Sequence, residues 1–119
     1  MKEPIIGNQL FKFAALQEAA DFIQSQPLDV QRKILYNIDK TAGGVKDRNL
    51  FKKLKNSNIW EFKTLYKGIS YRLFAFWDNE SETFVIATHG LVKKTQKTPK
   101  KEIEKAESIR KEYFLTKNN

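Results

Sequence analysis

Hydrophobic periodicity first changes along this 119-residue chain at Gly43-Gly44, and that change sets the fold class. Upstream, Phe13, Leu16, Ala19, Ala20 and Ile23 recur at helical spacing, which predicts a helix over 13–25 that stops before Pro27. A second helix opens near 27–29, where Asp29 is placed to cap free amides. It carries Val30, Ile34 and Ile38 on one stripe and ends at the glycine pair, which suits a left-handed terminus. Downstream, segments 59–65, 70–77 and 83–89 are aromatic and β-branched, separated by turn residues at Lys67-Gly68 and Asp78-Asn79-Glu80. They read as three antiparallel strands in a meander. Helical spacing then returns: Thr98 suits an N-cap, Pro99 suits the first helical position, and Ile103, Ala106, Ile109 and Tyr113 make a stripe over 99–116. A further short strand near 4–6 or 10–13 fits the sheet edge. The expected class is α+β, with two N-terminal helices, an antiparallel meander and a C-terminal helix in one domain over 1–119.

Composition removes several function classes. The absence of cysteine excludes a disulfide scaffold, a thiolate zinc site and a cysteine nucleophile. The longest apolar run, Leu73-Phe74-Ala75-Phe76-Trp77, is far short of the ~20 residues that span a bilayer. The first residues have no apolar core after their lysine, so they do not read as a signal peptide. The expectation is a cytoplasmic protein with no membrane partner.

The formal charge of +8 is unevenly spread. Residues 1–45 carry five basic and five acidic side chains, 46–77 carry eight basic against two acidic, 78–90 carry three acidic alone, and 91–119 carry nine basic against four acidic. Two positive segments therefore flank one acidic stretch, a distribution that attracts polyanions. Strand alternation puts Glu61 and Lys63 on one face of the first meander strand. It sets Arg72 with Phe74 and Phe76 on one face of the second. Lys63 and Arg72 then form a cationic floor on an open face, since like charges on neighbouring strands are unfavourable until an anion arrives. Lys93, Lys94, Lys97, Lys100 and Lys101 lead into the last helix. Free amides and the helix dipole at that end also favour an anion.

Other chemistries find little support. His89 is the sole histidine, so it serves at most as a single acid or base. Asp78-x-Glu80-x-Glu82 lacks the glycine and distal glutamate of a calcium loop and reads as a solvated turn. No glycine-rich phosphate loop or nucleophile elbow occurs. RNA cleavage remains open to such a chain, because the 2′-hydroxyl of the substrate is the nucleophile. The protein has only to align the backbone, neutralise the phosphate and assist two proton transfers.

Three segments, in this order and spacing, carry a family resemblance: Ile59-Trp60-Glu61-Phe62-Lys63, Tyr71-Arg72-Leu73-Phe74, and His89-Gly90-Leu91-Val92-Lys93-Lys94-Thr95-Gln96-Lys97-Thr98-Pro99. The chain resembles the HigB-like, phage-derived branch of the RelE/ParE type II toxin superfamily over about residues 50–110. The resemblance implies a RelE-like, microbial-RNase-like fold and a ribosome-dependent mRNA endoribonuclease that needs no metal or other cofactor. It implies catalytic roles at Lys63, Arg72, Lys94, Glu61 and His89, with Lys53, Lys55, Lys67, Lys93 and Lys97 as RNA contacts. Lys63, Glu61 and His89 are the candidates for the general base. Its expected partners are mRNA, the ribosome and a cognate antitoxin of helix-turn-helix type. Two alternatives stand beside it: a ParE-like protein that inhibits DNA gyrase without cutting RNA, and a non-catalytic RNA-binding module.

Overall fold

A computed structural model describes residues 9–93 and 97–117. The element order is β1 (Lys12–Ala15), α1 (Gln17–Gln24), α2 (Leu28–Ala42), β2 (Phe51–Lys53), β3 (Trp60–Tyr66), β4 (Ile69–Asp78), β5 (Phe84–Lys93) and α3 (Lys100–Lys117). The class is α+β, as the change of period implies. The strands form one five-stranded sheet in the order β1-β5-β4-β3-β2. β2 to β5 are antiparallel and β1 runs parallel to β5, so the sheet is mixed where the sequence led us to expect a purely antiparallel one.

Alternation along the strands builds two cores. Phe62, Leu73, Ala75, Val85 and Ala87 face α1 and α2, meeting Ala19, Ile23, Val30, Ile34 and Ile38. Ile59, Phe74, Phe76 and Ile86 face the other way and are covered by Ala106 of α3, with Ile103, Tyr113 and Phe114 packed around it. The β3–β4 turn puts Lys67 at φ 50° and Gly68 at φ 79°, the left-handed pair that matches the twist of a tight hairpin.

The departures from expectation are local. Phe13–Ala15 belong to an edge strand, not to the first helix: Phe13 packs into one core and Ala14 into the other, an alternation of period two. The edge strand expected at 10–13 is thus present two residues later, and its alternative at 4–6 lies outside the described residues. β2 had no counterpart in the sequence reading. Asp29 accepts the Val30 amide at 3.0 Å within the first turn of α2, while Pro27 takes the N-cap position itself. Asp78 is no solvated turn residue. It is buried, accepting from Tyr113 Oη at 2.7 Å and from Lys117 Nζ at 2.6 Å, and so pins the end of α3 to the sheet.

Candidate functional site

The candidate residues gather on the α3 side of the sheet because of three registers. Glu61 pairs with Phe74 and Lys63 with Arg72 across β3–β4; Ser70 pairs with Lys93 and Phe74 with His89 across β4–β5. The register of β5 slips between Phe74 and Ala75, which are opposite His89 and Ala87, so Thr88 is an extra residue. This bulge reverses the parity of the strand and brings His89 onto the same face as Ile86. Thr88 Oγ1 lies 3.2 Å from the Phe74 carbonyl, giving it a donor at the irregular position.

Glu61 and Arg72 form a buried ion pair. Arg72 Nη1 donates to Glu61 Oε1 at 2.9 Å, with the two residues 2% and 1% exposed. Thr98 Oγ1 donates to Glu61 Oε2 at 2.7 Å. Thr98 is therefore a tie from the start of α3 to the sheet, where the sequence suggested an N-cap. The cationic floor expected on an open face is a covered one at Arg72, which is buried and paired with the Glu61 that Thr98 also holds.

Lys93 completes the group in an unusual state. It is 6% exposed, and its Nζ has no hydrogen-bond partner among the described residues. Burial lowers its pKa, and the neighbouring charges of Arg72 and Lys52 lower it further against the pull of Glu61. Lys52 pairs with Glu61 from β2, and sequence reasoning missed it because a three-residue strand shows no periodicity. A buried cation is costly unless paired, and the lowered pKa of Lys93 expresses that cost.

His89 is held at both ring nitrogens: Nδ1 is 2.9 Å from Thr88 Oγ1 and Nε2 is 3.0 Å from Glu102 Oε1 of α3. Its ring lies 4.9 Å from that of Phe74. Burial lowers its pKa, with the Glu102 hydrogen bond opposing and Lys105 assisting the shift. Glu102 was not singled out in the sequence, although its place in the first turn of α3 beside a strand histidine is a readable signal.

The remaining candidates spread out. Lys63 is half-buried and lines a depression with Lys33, Asn37 and Lys40 of α2. Lys53 is exposed on β2, and Lys55 lines a hollow with Asn56, Ser57 and Lys100 at the start of α3. Lys97 is exposed just before α3. Lys67 is apart from the group, in the β3–β4 turn, with its ammonium 5.4 Å from the Tyr66 ring centroid. Lys94 lies outside the described residues. Among the described residues no cluster of three or more His, Asp or Glu side chains is arranged to hold a metal ion. No helix among them is long and apolar enough to cross a membrane.

Gly90, within the His89-Gly90 motif, has a packing role: a Cβ there would stand 2.2 Å from the Phe22 ring of α1. No curated protein matches the chain in a sequence search. A family profile described as phage-derived protein Gp49-like (DUF891) matches residues 21–111, which include every strand except β1 and most of the three helices. The chain therefore belongs to the phage-derived Gp49-like family, a group of toxin-type proteins in the RelE/ParE-like superfamily, with whose fold its α+β architecture is compatible.

Proposed function

We propose that this protein is a type II toxin that acts as a metal-independent mRNA endoribonuclease on ribosome-bound message. The observation that carries the reading is Lys93, a buried ammonium without a partner beside the Arg72–Glu61 pair. A scissile phosphate is the anion that such a site fits. Family membership implies an antitoxin partner, which agrees with a cationic site that has to be neutralised or covered.

In this mechanism Arg72, fixed by Glu61, stabilises the charge that grows on the phosphate as the 2′-hydroxyl attacks. Removing one such stabiliser costs on the order of 100- to 1,000-fold in rate. Glu61 has both oxygens engaged and His89 both nitrogens, so each acts here as a positioning residue. Lys63, opposite Arg72 in register and on the same face of β3 as Glu61, is a second cation for the phosphate. Proton transfer is assigned to Lys93 as the neutral amine, the form its lowered pKa favours, which takes the 2′-hydroxyl proton and so becomes the ammonium beside the phosphate, with Lys94 next to it in the chain as a further cation.

Inducible expression with mapping of mRNA 5′ ends tests the reading. New ends are expected with wild type and not with Arg72→Ala or Lys93→Met. Growth arrest with intact mRNA and damaged DNA overturns it in favour of gyrase inhibition. Undiminished RNA binding with neither arrest nor cleavage overturns it in favour of a binding module.

A further inference from the structure

The face of the sheet opposite Lys93 carries a feature that RNA cleavage leaves unused. A cavity of about 330 Å³ lies where the segment before β1 and the chain after α2 meet β2, β3 and β4. Phe11, Phe51, Trp60 and Trp77 line it, braced against each other: Phe51 stacks on Trp60 at 4.7 Å and Phe11 meets Trp77 edge-on at 5.3 Å. The walls are nearly all apolar, yet they include a buried donor, Trp77 Nε1, without a hydrogen-bond partner. At the mouth Leu10 is 50% and Val45 45% exposed. Lys46, Asp47 and Arg48 share that rim, two positive charges against one negative, at the start of a segment, 46–55, with five basic residues against one acidic.

We propose that this cavity receives an apolar side chain carried on an acidic peptide segment of a protein partner. The proposal rests on the toxin reading only for who supplies that segment, namely the antitoxin. Three observations select the occupant. A nucleobase has several polar edge atoms to satisfy and would meet one free donor in an otherwise apolar cup. A peptide brings a side chain with no polar atoms and a backbone carbonyl for the indole N–H. Acidic residues on either side of the anchor then meet Lys46 and Arg48, whose two charges outweigh that of Asp47 on the rim.

Position bears on the contact: β2 is an edge strand whose Phe51 lines the cavity while its neighbour Lys52 stands opposite Glu61 on the other face.

The test follows the Trp77 indole N–H resonance in the full chain, assigned with Trp77→Phe, during titration to millimolar concentration. The probes are the peptide acetyl-Glu-Asp-Leu-Glu-Asp-amide, its Leu-to-Ala counterpart and uridine 5′-monophosphate. The leucine peptide is expected to move the resonance saturably, with the alanine peptide and the nucleotide at least tenfold weaker. Val45→Glu and Arg48→Glu, both at exposed positions, are expected to weaken the leucine peptide at least tenfold with an unchanged melting temperature. In Trp77→Phe, followed by the Trp60 indole, the loss is about fivefold, that of one hydrogen bond. No saturable shift, an equal response to the alanine peptide, or a stronger response to the nucleotide overturns the proposal. The readout contains no RNA cleavage. Failure of the nuclease reading leaves it intact, and failure here leaves the nuclease reading intact.

Discussion

Lys93 and Gly90 stand three residues apart in one motif and serve unlike ends. Lys93 holds an unpartnered charge in a covered place, which weakens the fold for the sake of the site. Lys93→Met keeps the length of the side chain and removes the charge, and it also relieves repulsion from Arg72. Urea unfolding is expected to show a gain of about 1–3 kcal/mol, the cost of a buried unsatisfied polar group, while cleavage is lost. A stability loss of that size would show that Lys93 is a structural cation instead. Gly90, by contrast, serves packing. The 2.2 Å approach to Phe22 leaves no room for a methyl group, so Gly90→Ala is expected to cost about 1–3 kcal/mol by overpacking. Pairing it with Phe22→Ala is expected to recover part of the loss in a double-mutant cycle. Strictly additive costs would show that Phe22 is not the obstacle.

Helix α3 is held to the sheet at both ends, and each tie joins residues far apart in sequence. Thr98 and Glu102 reach Glu61 and His89 at its start; Tyr113 and Lys117 reach Asp78 at its end. The boundaries of this helix were readable because apolar spacing and the proline at its start are local signals, and α2 was readable from its own spacing, Pro27 and the glycines that end it. The edge strand β1 was not, since it is ordered by pairing residue 12 with residue 84, and local spacing there also fits a helix. The tie at His89 has a consequence for pH. Its folded pKa lies below the ordinary value of 6.5, chiefly through burial. The folded state therefore favours the neutral ring, and its contribution is fully present above pH 6.5 and declines as pH falls toward the folded pKa. Glu102 and Lys105 from α3 and Glu18 from α1 are the charged groups that bear on it. Thermal melts between pH 7.5 and 5 are expected to show this decline in wild type and a flatter profile in His89→Gln. Equal profiles would place the titration elsewhere. Asp78 acts in a separate, more acid window. Burial works against its ionised form, but hydrogen bonds from Lys117, the Glu80 amide and Tyr113 outweigh it and lower the carboxyl pKa below 3.8. Its contribution is present above that value and is lost as pH falls through the folded pKa.

For the whole molecule, folding turns two basic stretches of sequence into one region. Lys52 from the first stretch bears on Lys93 from the second, and Lys55 shares a hollow with Lys100 at the start of α3. The sequence showed that charge was concentrated and which strand residues share a face. It did not show that Arg72 is covered and paired, that Lys93 is the uncompensated cation, or that Lys67 points away toward Asp29, because burial and partner choice arise from α3 closing over the sheet. In the proposed mechanism the buried Lys93 acts on one phosphate, and the exposed Lys55, Lys97 and Lys100 act on the backbone as a polyanion. Those two roles differ in their response to salt. Each single-strand phosphate contact contributes about 0.7 to the slope of log affinity against log salt. Replacing Lys55, Lys97 and Lys100 by alanine is therefore expected to reduce that slope by about 2 in fluorescence anisotropy with a labelled single-stranded RNA. Alanine at Lys33 and Lys40, on the α2 side, is expected to leave it unchanged. A slope that falls equally for both sets would mean that RNA follows the overall charge of the protein and not the margin of the Lys93 site.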